Sequence, residues 1–369
     1  MKKLAVIFVL ILMGACKKMD HYEIIGTVDN IPDSSIINLF ELSENVGTLI
    51  SRDTIIDGKF TFKGILTDRP IRMNLMIANR LNFSGSCEMW VDNTKIKISG
   101  SGKFLSTWKV KSNIPEQGIS NLFSEKTRDQ MEIIDSLSLA RMINRDNNIQ
   151  TINNEISSML EVVNNIEFHV LEKNYNNIIS LEKLYNISKS SKIDKGLIRN
   201  VFNKMDDTYK NTLIGEGILS ELSKPIAPKI GDKMIDLDLH DFKGKQYKLS
   251  EFSGKYILLD FWSYACYPCL LAAPELREIN STFKNSLTVI GISMDVNPKV
   301  WHDETKRDSI TWINLSDGKG SYSGASSFYV ISGMPTYILI NPQDTIIERW
   351  EGFTSGEIKE KLNKYIDLK

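Results

Sequence analysis

What this 369-residue chain has little of narrows its chemistry first. It holds four cysteines and four histidines, and His21, His169, His240 and His302 each stand alone. Cys266 and Cys269 lie three residues apart, but Cys16 and Cys87 are distant from them, so no second pair of ligands completes a zinc site and no metal is predicted. An excess of either charge is also missing, since 45 Lys and Arg face 46 Asp and Glu for a net charge of -1. Without a basic block or an acidic tail, nucleic acid is not an expected partner. The apolar run from Leu4 to Met13 is too short for a bilayer, which takes about 20 residues.

What is present divides the chain. At 42% hydrophobic and 25% charged, the composition is that of an ordinary globular protein with room for two or three domains. Lys2 and Lys3, the apolar run and Gly14-Ala15-Cys16 form a secretory signal. Its end resembles a bacterial lipobox, which implies that residues 1–16 are a lipoprotein signal peptide and that Cys16 is acylated, anchoring the chain to a membrane. Residues 20–112 read as short strands between turn signals such as Pro32-Asp33, Asp57-Gly58 and Asp92-Asn93. Asp57-Gly58 between Thr54-Ile55-Ile56 and Lys59-Phe60-Thr61-Phe62 predicts a hairpin. Short strands at that spacing predict either a barrel or a small antiparallel β-sandwich domain, and the sandwich is the expected form. Lone Cys87 there reads as a buried small hydrophobe. Over 113–224 glycine and proline nearly vanish and apolar residues recur at helical spacing, as in Ile156, Met159, Leu160 and Val163, which predicts a helical linker domain. Breaks are expected at Asn174–Asn177 and at Ser190-Ser191-Lys192. Lys224-Pro225-Ile226-Ala227-Pro228 then links to a last module, 225–369.

The chemistry concentrates in that module. Lys255 to Trp262 reads as a buried strand, and Cys266-Tyr267-Pro268-Cys269 follows a short turn. Proline is accepted in a helix's first turn, so Pro268 places Cys266 at a helix N-terminus. There the thiolate is stabilised and the thiol's pKa falls below the free value of about 8.5, which makes Cys266 the candidate nucleophile. Cys269, one turn on, is the candidate resolving thiol. An inert structural disulfide is the competing reading, but a four-residue span closes almost no loop and so stabilises little. Asp260, inside the apolar strand, is expected to have a raised pKa suited to proton transfer near neutrality.

The run Phe261-Trp262-Ser263-Tyr264-Ala265-Cys266-Tyr267-Pro268-Cys269 resembles the active-site segment of thioredoxin-fold proteins, in particular the TlpA/ResA-like thiol-disulfide oxidoreductases of bacterial envelopes. Gly333-Met334-Pro335-Thr336 resembles that family's cis-proline segment, and Asp260 matches the buried acid that takes the resolving cysteine's proton. The stretches GTVDN, DTIIDGKFTFKG and WVDNTKIKISG resemble an N-terminal β domain of Bacteroidetes lipoproteins of this kind. The resemblance implies an α/β thioredoxin fold at the C-terminus, a redox-active Cys266/Cys269 disulfide with no other cofactor, and a cis Pro335. It also implies a docking surface formed by Pro335, Met334, Trp262 and Tyr267. The implied partners are exported proteins with thiols or disulfides, and an upstream electron donor such as a membrane thiol reductase. The implied location is lipid-anchored in the cell envelope, facing the periplasm. The sequence departs from the family pattern at Ala265, where tryptophan is usual, and at Tyr267-Pro268, where Gly-Pro is commoner.

Two other readings stay open. Peroxiredoxins share the fold and place Ser or Thr three residues before their cysteine and proline seven before; Ser263 fits and Leu259 does not. A client-binding lipoprotein that uses the module as a recognition surface is the non-enzymatic alternative.

Overall fold

The computed structural model of the chain describes residues 19–43, 46–67, 70–79, 82–143, 149–189, 192–223 and 226–366. The expected signal with Cys16, the break at Ser190-Ser191 and the Lys224-Pro225 start of the link lie outside the described residues. Two compact units divide the chain, Met1–Ile166 and Glu167–Lys369.

The first unit is built from β1 (Tyr22–Asp29), β2 (Ile36–Ser43), β3 (Val46–Thr54), β4 (Lys59–Gly64), β5 (Ile71–Ile77), β6 (Cys87–Val91), β7 (Lys95–Ser101) and β8 (Lys109–Lys111), followed by α1 (Pro115–Ile143) and most of α2 (Ile149–Leu171). The strands make two four-stranded sheets, β4-β1-β7-β8 and β3-β2-β5-β6. Alternation along each strand sends Ile24, Phe60 and Ile98 from one sheet and Ile37, Leu75 and Val91 from the other into a single core. Two expectations need correction. The predicted all-antiparallel pairing fails at β1 and β7, which run parallel. Between them the chain passes through the whole second sheet, which supplies the crossover that parallel neighbours need, and side-chain alternation carries no signal of a partner's direction. The Asp57-Gly58 turn forms, with Asp57 at φ 49 and Gly58 at φ 68, and Ile56 bridges Lys59 across it. Only glycine fits the second position, because a Cβ there would sit 2.3 Å from the Val28 carbonyl oxygen. Yet β3 and β4 belong to different sheets, so the turn is a corner between layers rather than a simple hairpin. Helices α1 and α2 bury Ile134, Ile156 and Val163 together, with Met131 and Met159 against them.

The second unit takes the end of α2, then α3 (Ile178–Ser188), α4 (Lys195–Lys204), α5 (Asp207–Lys210) and α6 (Leu213–Leu222). Asn177, Asp194 and Thr212 cap α3, α4 and α6, each accepting backbone N–H bonds. Next come the antiparallel pair β9 (Asp238–His240) and β10 (Gln246–Lys248), then β11 (Tyr256–Trp262), α7 (Tyr267–Thr282), β12 (Leu287–Ser293), α8 (Pro298–Arg307) and β13 (Ile313–Leu315). The chain closes with α9 (Ala325–Phe328), β14 (Thr336–Ile340), β15 (Ile346–Glu351) and α10 (Glu357–Leu362). The main sheet has the order β13-β12-β11-β14-β15, with β11 parallel to β12 and antiparallel to β14. This is a thioredoxin-like fold.

Both faces of that sheet are covered, which is why β11 reads as a continuous apolar run. Ile257, Leu259 and Phe261 join one core with Ile290, Ile338 and Tyr329. Leu258 faces the other way, against Ala272, Ala273 and Leu276 of α7 and Tyr337 and Leu339 of β14. The helices preceding the sheet are fastened to the segment between β13 and α9: Tyr185 of α3 lies ring to ring with Tyr322 at 5.1 Å, and Glu216 of α6 takes Lys319 at 2.9 Å and the Ser323 hydroxyl at 3.1 Å.

Candidate active site

Cys266 is the N-cap of α7, with Pro268 in the first turn. The backbone N–H of Cys269 donates to the Cys266 sulfur at 3.2 Å, and the Cys266 carbonyl accepts from Cys269 and Leu270. A sulfur in that position sits at the positive end of the helix, where negative charge is favoured. The two cysteines are joined as a disulfide with Cα atoms 5.2 Å apart. Both are largely buried, at 8% and 7% exposure.

Around the disulfide the structure assembles residues from three further elements. Cys266 and Cys269 share one apolar cluster with Trp262 at the end of β11 and Trp301 of α8, and Met334 lies against it. The Met334–Pro335 peptide bond is cis, and Pro335 is buried with its carbonyl accepting from Gly352 N–H at 2.8 Å. Tyr267 projects outward at 67% exposure beside the exposed Pro268 and Leu271. The expectation for Trp262 needs correction: it is buried under the disulfide, and its Nε1 donates to Asn314 Oδ1 at 3.2 Å, so it is a floor for the cysteines and not a docking residue. Strand alternation explains this, since Leu258, Asp260 and Trp262 all point to the face that α7 covers.

Asp260 is the polar exception on that face. It is buried, its Oδ1 has no hydrogen-bond partner, and desolvation pushes its pKa from 3.8 up to about 7. It lies between Leu258, which packs on α7, and Trp262, which packs on the cysteines.

Three residues escaped the sequence reading. Asp295, just after β12, is buried and accepts the Tyr264 N–H on both oxygens at 3.2 Å, holding the loop that leads into Cys266. Trp301 supplies an aromatic wall to the disulfide from another helix, while Ala265 is exposed. Tyr337, two residues past Pro335, stands opposite Asp260 in the β11–β14 register. An aspartate ending a strand, a tryptophan in an amphipathic helix and a tyrosine in an apolar strand carry no spacing signal. Among the described residues, no group of three or more His, Cys, Asp or Glu could hold a metal ion. Among them too, no helix is long and apolar enough to cross a membrane.

Residues 230–349 match the AhpC/TSA family. The C-terminal part of the chain carries an AhpC/TSA domain. Its relatives include the thiol-disulfide oxidoreductase ResA of Bacillus cereus, 25% identical over 145 residues that make up 39% of this chain and 80% of that protein. ResA of Bacillus subtilis is 26% identical over 127 residues, 34% of this chain and 69% of that protein. A solved thiol-disulfide oxidoreductase from Bacteroides fragilis aligns at 28% identity and a TM-score of 0.34, covering 37% of this chain and 100% of that one. Each of these likenesses covers less than two fifths of this chain.

Proposed function

We propose that this chain is a thiol-disulfide oxidoreductase of thioredoxin fold that works through the Cys266/Cys269 dithiol. The observation that carries the reading is the placement of Cys266 at the N-cap of α7, disulfide-joined to Cys269, with the cis Met334–Pro335 segment against the pair. In the reduced protein the Cys266 thiolate attacks a substrate disulfide, forming a mixed disulfide and releasing one substrate thiolate. Cys269 then gives its proton to ionised Asp260 and attacks the Cys266 sulfur. The second substrate thiolate leaves, and the protein is left with the Cys266–Cys269 disulfide. Two electrons have passed to the substrate, and an upstream dithiol donor restores the reduced state. Asp260 with a pKa of about 7 can exchange a proton in either direction at neutral pH. Tyr267 and Met334, outside and beside the disulfide, are the substrate-facing residues, and Pro335 shapes the segment that presents Met334.

The wider reading is an envelope protein facing the periplasm, held by lipid on Cys16, that acts on exported proteins. The signal-like N-terminus and the ResA relatives support it. The shared core of the two first-unit sheets supports a small sandwich ahead of the catalytic domain.

The test is the equilibrium of the dithiol with a graded glutathione buffer, read by alkylation of Cys266 and Cys269. A reversible two-electron couple is expected, and its midpoint sets the direction: about -270 mV marks a reductase and about -120 mV an oxidant. Failure to find a couple at any poise, together with rapid thiol-dependent consumption of hydrogen peroxide, would replace this reading with a peroxidase.

A further inference from the structure

Asp260 is not the only unsatisfied polar group beneath the active-site helix. The Tyr337 hydroxyl and the Trp312 Nε1 are also buried and without hydrogen-bond partners. Buried polar atoms nearly always have a partner, often an internal water, so several orphans in one place call for an explanation. Strand register and packing set these three on one face of the sheet. Asp260 and Tyr337 are directly opposite on β11 and β14, so their side chains leave the same face of the sheet as close neighbours. On its other side Asp260 faces Gly291 of β12. A Cβ on Gly291 would lie 3.1 Å from Trp312 Nε1, which puts that donor next to the glycine, and Trp312 packs in the same core as Tyr337. Trp350 stacks on the Tyr337 ring at 5.1 Å and fixes its plane.

We propose that Tyr337 is a positioning residue for Asp260, the two being joined through one buried water that the Trp312 N–H also binds, and that this network sets the proton affinity of Asp260. The inference rests on the role given to Asp260 above. In the resolving step the Cys269 proton passes to the Asp260 carboxylate, and the Tyr337 hydroxyl, donating through the water, stabilises the ionised carboxylate before the transfer. No proton is gained or lost by Tyr337 itself. The titratable groups around the pair include Cys269 and Glu275 from α7, and Glu357 and Lys361 from α10, the Lys361 ammonium lying over the Trp350 ring at 5.1 Å; β12 contributes Gly291 opposite Asp260 and β15 contributes Trp350 opposite Tyr337. Burial foremost, then the nearby charge of Asp260, Glu275 and Glu357, pushes the Tyr337 hydroxyl upward, so it stays protonated and available as a donor at neutral pH.

The experiment follows the Asp260 carboxyl carbon and the Tyr337 ring carbon bearing oxygen by NMR in the reduced, full-length protein from about pH 5 to pH 9, a window that brackets the Asp260 midpoint. Both signals of the wild type should move with one midpoint. Tyr337→Phe should raise the Asp260 midpoint by about half a unit or more, roughly a threefold gain in proton affinity, because the donor to the charged form is lost. The pH profile of the resolving step should move with it. A Tyr337 signal that stays flat through the Asp260 titration overturns the proposal without any variant. So does an unmoved Asp260 midpoint in Tyr337→Phe, whatever happens to its melting temperature. Asp260→Asn separates the two levels. If it leaves the profile of the resolving step unchanged, the proton role of Asp260 falls and this inference with it; if it alters the profile while Tyr337→Phe does not, only the inference falls.

Discussion

Each unit buries a cysteine and an aspartate, and the two pairs have opposite characters. In the first unit Cys87 sits in β6 among apolar side chains, and burial pushes its thiol up to about 12. Asp135 of α1 is buried too, but its carboxylate accepts the Ser106 hydroxyl at 2.6 Å. In the second unit Cys266 caps a helix and is paired with Cys269, while Asp260 is left with an unsatisfied oxygen. Burial by itself therefore makes a cysteine inert. What distinguishes the second pair is the helix terminus at the sulfur and, at the acid, burial without a direct hydrogen bond from a protein group to Oδ1, which together leave a thiol that can ionise and a carboxyl that can change state near neutral pH.

The sharpest way to break the comparison is to remove each sulfur in turn. Cys266→Ser should cut the exchange rate by roughly a thousandfold or more, since it deletes the attacking atom. Cys87→Ser should leave the rate within about twofold and instead lower stability by about 1–3 kcal/mol, the cost of burying a hydroxyl in an apolar strand. Rates with a small disulfide substrate and urea melts of both variants decide it. A large activity loss in Cys87→Ser would erase the distinction between the two thiols.

The two carboxyls differ next. Folding raises the pKa of Asp260 from 3.8 to about 7, so the folded protein binds the proton more tightly than the unfolded chain. Stability from this group is therefore fully present below pH 3.8 and is lost as pH climbs through about 7, by about 4 kcal/mol in all. Asp260→Asn removes that loss and should stabilise the oxidised protein by up to about 4 kcal/mol at pH 8 relative to the wild type, with the gain fading toward pH 4. Burial raises the Asp135 carboxyl as well, with the Ser106 hydrogen bond opposing it, so Asp135→Ala should show a weaker pH dependence and cost about 1–3 kcal/mol because the Ser106 hydroxyl loses its acceptor. An Asp260→Asn difference that is the same at both pH values would mean that Asp260 does not titrate in this window.

The contrast also shows where the sequence was legible. The period-two alternation of β1, the helical spacing of Ile156, Met159, Leu160 and Val163 and the short span from β11 to the cysteines each follow from local spacing, and the structure holds them where that spacing puts them. Long-range choices were not legible. Nothing in Tyr22–Asp29 says that its neighbours are β4 and β7 rather than β2, and nothing around Asp57-Gly58 says that the turn changes sheets. Trp262 is buried because α7 roofs its face, a fact about the fold and not about the motif. Tyr337 reads as bulk in an apolar strand until its hydroxyl is found opposite Asp260.

Asp295 gives the smallest expected effect, and it tests whether the helix terminus or the loop before it makes the second unit's cysteine special. Its carboxylate holds the Tyr264 N–H and the Ser293 hydroxyl, so the chain enters α7 along a fixed path two residues before Cys266. Asp295→Ala removes those acceptors and should cost about 1–2 kcal/mol of stability. The N-cap geometry depends on Cys266 and Pro268 themselves, so the Cys266 thiol in the reduced protein should keep its titration midpoint while exchange slows by about threefold to tenfold, equivalent to roughly 1 kcal/mol of lost positioning. Asp295→Asn retains one acceptor oxygen and should recover part of the rate. A Cys266 midpoint that moves in Asp295→Ala would show that the loop, through the path that Asp295 fixes for it, governs the thiol as much as the helix does.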